Sequence, residues 1–156
     1  YTDEGILFLQ KKKNQFKIQL PGQDLISNGQ YTWSILKEDK EVQITEAQAQ
    51  TDAIGPNNIF TFYKKGFKYM TMDSEQEGKH SLSVVELVPT DTQKNYFKIK
   101  LRVNKNKHIH DVLIYDKSGA RYSYTIQGLY VNTNIEADKF IFNKANYPNY
   151  ELVDLR

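Results

Sequence analysis

From Tyr96 to Val103 the chain reads YFKIKLRV, with Phe97, Ile99, Leu101 and Val103 set against Lys98, Lys100 and Arg102. Successive side chains of a strand point to opposite faces, so this period of two predicts a half-buried strand with one apolar and one basic side. Similar runs predict strands over residues 5–10, 15–20, 24–27, 30–36, 41–44, 67–72, 81–88, 109–115 and 121–131, with a last short one over 140–142. Polar, turn-forming connectors separate them: KKKN, PGQD and KEDK early in the chain, then SEQEGKH, PTDTQKN, NKNK and DKSG. Asn28-Gly29 is the sharpest of these signals, because a two-residue hairpin turn needs positive φ at both positions and Asn and Gly tolerate it. Short connectors join neighbours, which predicts an up-and-down antiparallel sheet.

Alternation fails over residues 45–58, the longest predicted loop. Pro56 suits the first turn of a short helix reaching about Lys65, with Gly66 to close it and Ile59, Phe60 and Tyr63 as its apolar stripe. Residues 146–156, NYPNYELVDLR, read as an irregular tail. About ten antiparallel strands in succession must close into a barrel or curl over a cover, and one short helix covers little. Bulky apolar faces recur at Phe16, Ile18 and Leu20, at Tyr31, Trp33 and Ile35, at Phe97, Ile99, Leu101 and Val103, and at Tyr122, Tyr124 and Ile126. If these faces converge, they either fill the interior or bound a cavity.

A chain of 156 residues suits one domain, 1–156, whose core needs no metal or disulfide staple. Its 21 basic and 19 acidic residues nearly balance, which argues against a dedicated nucleic-acid binder. Aromatic residues make up 13% of the chain, and they favour pleated surfaces, so the composition leans to β. The absence of cysteine excludes disulfides and zinc–thiolate sites. No window approaches the roughly 18 consecutive apolar residues of a membrane span. The sequence opens in a strand, YTDEGILFLQ, and we expect a secretory leader of about 15–30 residues and an amphipathic helix ahead of it in the gene product.

Candidate chemistry is sparse. In HIHD, His108 and His110 project the same way from a strand and with Asp111 suggest metal ligation, but no third ligand stands at a comparable spacing and a solvated strand edge is the simpler reading. Asp73, Glu75 and Glu77 near Gly78 read as a solvated loop rather than as paired catalytic carboxylates. With no phosphate-binding glycine loop, no G-x-S-x-G elbow and no cysteine nucleophile, neither an enzyme nor a cofactor is expected. Lys11, Lys12 and Lys13, and the stripe Lys98, Lys100, Arg102, Lys105 and Lys107, suit an anionic membrane surface or an acidic partner, though lysine also guards exposed strands against aggregation.

The segments LPGQDLISNGQYTWSILKEDKEVQI, IFTFYKKGFKY, VVELVPTDTQKNYFKIKLRVNKN, DKSGARYSYTI and the closing VDLR resemble, in order and spacing, the LolA family of periplasmic lipoprotein carriers, in particular its Bacteroidetes branch. The resemblance implies a mainly β, half-open, unclosed antiparallel barrel with a short helical lid. It also implies a function: a monomeric periplasmic carrier takes acylated lipoproteins from an inner-membrane lipoprotein-releasing transporter and delivers them to an outer-membrane receptor or membrane surface. On this reading Leu7, Leu9, Phe16, Ile18, Trp33, Ile35, Phe97, Ile99 and Leu101 line a concave lipid-binding wall, and Ile59, Phe60 and Tyr63 belong to the lid. The family's latch arginine falls at Lys11, which keeps the charge without the planar fork. The alternative on the same fold is a periplasmic adaptor that senses a lipid or lipoprotein without transporting it.

Overall fold

Eleven strands form in the computed structural model, which describes residues 1–47 and 53–156. The first five are β1 (Ile6–Gln10), β2 (Gln15–Gln19), β3 (Gln23–Ser27), β4 (Tyr31–Leu36) and β5 (Glu41–Glu46). The next five are β6 (Phe67–Glu77), β7 (His80–Pro89), β8 (Tyr96–Val103), β9 (Ile109–Asp116) and β10 (Arg121–Thr125), and β11 (Glu151–Asp154) ends the series. They build a six-stranded sheet, β1-β2-β3-β4-β5-β11, and a five-stranded sheet, β10-β9-β8-β7-β6. Each sheet keeps two edges, so neither closes on itself. The chain divides into two compact units, residues 1–57 with 132–156 and residues 58–131, and each holds one sheet.

Hairpin chemistry fixes the first unit. The Asn28 side chain accepts the Gln30 and Tyr31 amides at 2.9 and 2.8 Å, which closes the β3–β4 turn. Gly29 takes φ +93°, and a Cβ there would stand 2.7 Å from the Lys13 carbonyl oxygen, so this turn lies directly against the Lys11–Lys13 turn. In antiparallel pairing, residues directly opposite share a face. Leu7, Ile18, Leu25 and Ser34 therefore lie on one face, and Phe8, Lys17, Ile26, Trp33 and Ile44 on the other. On the second face Ile26, Ile35 and Val42 form a core against which Trp33, Phe142, Tyr147 and Tyr150 pack.

Three expectations are corrected. Residues 146–156 are not all irregular: β11 joins β5 in parallel, with the Glu151 and Leu155 amides donating to the Lys40 and Ile44 carbonyls, so the sheet is not wholly up-and-down. The segment 140–142 is no strand, because Ala137–Phe140 is a 3-10 turn that buries Phe140. The helix expected from Pro56 to Lys65 is reduced to a turn and the single 3-10 turn Phe62–Lys64. Ten residues with two Asn, a Thr and three aromatics cannot sustain a helix alone, and the Asn58 carbonyl draws in the Thr61 and Phe62 amides and the Thr61 hydroxyl instead. Among the described residues no helix is long and apolar enough to cross a membrane.

Candidate functional site

The five-stranded sheet has two chemically opposite faces. One transverse row on the first face runs Tyr69, Leu87, Ile99, Ile114, Tyr122, and the next runs Thr71, Val85, Leu101, Val112, Tyr124. Aliphatic side chains on the three central strands are thus flanked by phenol rings on the outer ones. Leu87, Ile99 and Val112 are fully out of water, whereas Tyr69 and Tyr122 are exposed. Burial raises the Tyr124 pKa, since its ring is set among these apolar groups. At the β6 edge the Tyr69 hydroxyl donates to the Tyr63 carbonyl, and ring contacts run from Tyr63 through Phe62 and Phe67 to Tyr96. The turn carrying Ile59, Phe60 and Tyr63 is held there, with Ile59 buried.

The opposite face is a lattice of charge. Lys98 meets Glu86 at 3.2 Å, and Lys100 pairs with Glu75. Arg102 donates from Nε to both oxygens of the buried Asp111 at 2.8 and 3.1 Å, and reaches Glu77 at 3.2 Å and Glu75 at 3.4 Å. The Asp111 hydrogen bonds raise the Arg102 pKa above its already high value, and the Lys100 hydrogen bond lowers that of Glu75. A bulge in β9 places His110 beside Asp111 on this face, with Nε2 2.6 Å from Glu77. Glu77, Arg102, His110 and Asp111, with His80, His108 and residues 125–129, line a cleft of about 710 Å³. Among the described residues no three His, Asp or Glu side chains are grouped to hold a metal ion.

The structure brings some nominated residues together and separates others. Ile99 and Leu101 share the apolar face, but Phe97 does not. A bulge between Tyr96 and Lys98 turns Phe97 to the charged face, where it is 50% exposed and meets the Tyr115 ring at 6.1 Å. In the six-stranded sheet Leu7, Leu9, Phe16 and Ile18 share one face, while Trp33 and Ile35 lie on the other. That other face is covered by the unit's own tail: Phe142 stacks on Trp33 at 5.7 Å and on Tyr147 at 5.5 Å. The nine wall residues therefore do not form one face. Lys11 is exposed, and among the described residues its ammonium has no hydrogen-bonding or ionic partner.

The acidic segment is not a loop either. β6 continues past a register shift between Met72 and Glu75 as far as Glu77, so Glu75 and Glu77 are strand residues aimed at Lys100 and Arg102. Lys100 and Arg102 are neutralised in place by Glu75, Glu77 and Asp111, and Lys98 meets Glu86, so these three are not a row of unpaired cations, while Lys105 and Lys107 are exposed in the following turn. Sequence reasoning missed the apolar contributions of Leu87, Val112 and Ile114. The alternation VVELV and HDVLIY carried that signal.

Comparison with known proteins follows the same lines. A family model described as "Outer membrane lipoprotein carrier protein LolA" matches residues 2–143. Among solved structures, an uncharacterised conserved protein from Thermus thermophilus is similar, with a TM-score of 0.63 at 9% identity over 97% of this chain and 82% of that one. A LolA superfamily protein from Nitrosomonas europaea gives a TM-score of 0.42 at 16% identity over 85% and 63% of the two chains. No curated protein matches the sequence.

Proposed function

Since the chain belongs to the LolA family of outer membrane lipoprotein carrier proteins, we propose that it is a periplasmic carrier, which takes up lipoprotein acyl chains on an apolar sheet face and passes them towards the outer membrane. The observation that carries this reading is the aliphatic face of β7, β8 and β9, bordered by tyrosines on β6 and β10. Burying one CH₂ is worth about 0.8 kcal/mol, so an acyl chain of some fifteen carbons costs on the order of 10 kcal/mol to leave in water. A surface of Leu87, Ile99, Leu101, Val112 and Ile114 supplies that burial, and Leu7, Leu9, Phe16 and Ile18 offer similar chemistry in the six-stranded sheet. In this role the turn with Ile59, Phe60 and Tyr63 serves as a lid, an inner-membrane transporter supplies the cargo, and an outer-membrane receptor or membrane surface accepts it.

The test is capture of a purified acylated lipoprotein as a soluble complex, with the unacylated form as control. Leu101→Gln is expected to weaken capture at least about tenfold, while Leu101→Met, of similar volume, retains it. Urea unfolding establishes that both variants are folded. Equal capture of the unacylated protein, or normal capture by folded Leu101→Gln, would exclude the reading.

A further inference from the structure

The charged face of the five-stranded sheet ends in a row of different character. Lys68 lies opposite Val88, and Lys98 opposite Tyr115, which lies opposite Arg121. The Lys98 ammonium stands 4.6 Å and the Arg121 guanidinium 5.3 Å from the centre of the Tyr115 ring, so one ring holds two cations. The bulge at Phe97 adds a half-exposed ring beside Tyr115, and Met70 and Val88 are 55% and 41% exposed on the same side. Glu86 answers Lys98, but Lys68 and Arg121 have no acidic partner among the described residues. Exposed Lys64 and Lys65 lead the chain into β6, and exposed Lys117 lies in the β9–β10 turn.

We propose that this end of the sheet is a docking surface for an anionic lipid bilayer. The chemistry favours a membrane over the other occupants. Cations on flexible stems around the exposed Phe97 ring and a methionine match the headgroup level of a bilayer, where the charges meet lipid phosphates and the ring enters the interface. A second copy of the chain would bring Lys68, Arg121 and their neighbours against themselves, which like-charge repulsion opposes. The cleft of about 710 Å³ on the same sheet is lined by other residues, so the patch lies outside it. The surface is built by bulge and register, not by the cation stripe as a whole: Lys100 and Arg102, further along the same face, are consumed by Glu75, Glu77 and Asp111. The proposal is independent of cargo, because its test contains none.

The experiment is sedimentation of the full chain with vesicles of phosphatidylglycerol and phosphatidylethanolamine, against phosphatidylcholine alone, at low and high salt. Binding is expected to the anionic vesicles only, and to fade as salt screens the charges. Lys68→Glu with Arg121→Glu is expected to weaken it at least about tenfold. Lys79→Glu with Lys105→Glu, an equal change of charge in turns at the far ends of the strands, is expected to leave most of it. Phe97→Trp places a reporter in the patch, whose emission shifts to the blue when the ring enters the interface. Absence of binding to anionic vesicles at low salt, equal loss in both charge-reversal pairs, or unshifted emission from the vesicle-bound Phe97→Trp variant each overturns the proposal. So does a result in which only an acidic protein, and no vesicle, is retained.

Discussion

At the scale of single residues, three positions carry consequences that can be measured. Gly29 combines φ +93° with a Cβ direction blocked at 2.7 Å by the Lys13 carbonyl, so Gly29→Ala imposes both backbone strain and a clash. It is expected to lower unfolding free energy by about 1–3 kcal/mol in urea titration, and an effect near zero would mean that the two turns readily part. Lys11, exposed and without a partner, is expected to behave as an ordinary surface residue. Lys11→Ala should leave cargo handover within about twofold, whereas Lys11→Arg adds a planar fork that can grip a lid group and change the rate. Stalled handover by Lys11→Ala with intact capture would instead identify lysine as a working latch. Glu75 is held below its ordinary 4.5 first by the Lys100 hydrogen bond. A depressed carboxyl contributes stability that is fully present above the unfolded value and is lost as pH falls through the folded one. The melting temperature is therefore expected to fall as pH drops below about 4.5, and less steeply in Lys100→Met; identical slopes would show that the pair contributes nothing.

At the scale of elements, the tail of the chain is a structural part of the first unit. Phe142 links Trp33 and Tyr147 in a stack, Lys139 sits 5.3 Å from the Phe8 ring, and Arg156 lies 4.7 Å from the Tyr31 ring. Phe142→Ala removes the middle of that stack and is expected to cost about 2–3 kcal/mol. Trp33 is the only tryptophan, so its emission should also shift to the red as water reaches it. Unchanged emission would place the tail's contribution elsewhere. The interiors of most strands were legible from alternation alone, and Asn28-Gly29 marked its hairpin turn, although only Gly29 of the two takes a positive φ and Asn28 acts through its side chain. β11 was not legible because ELVD is only four residues long and its hydrogen bonds come from β5, more than a hundred residues earlier. The end of β6 was hidden for a related reason: polar DSEQE carries no apolar period, and Lys100 and Arg102 hold it in the sheet.

At the scale of the whole molecule, two apolar surfaces that look alike in sequence have different duties. Trp33 and Ile35 lie in a core sealed by the unit's own tail, while Ile99 and Leu101 belong to the face proposed for cargo. Ile35→Val is accordingly expected to cost about 0.5–1.5 kcal/mol of stability without weakening acyl capture. If capture fell in parallel with stability, core and binding face would be one surface. The amino-acid sequence by itself determined the β class, the positions of most strands and turns and, by resemblance, the family, because period, turn residues and motif order are local properties of the chain. Which apolar face is covered, which cations are already neutralised, and where Phe97 and His110 point were decided only in the tertiary structure. A register step or a single bulge reverses the face of every side chain it touches, and that step is set by a partner strand the local sequence does not contain.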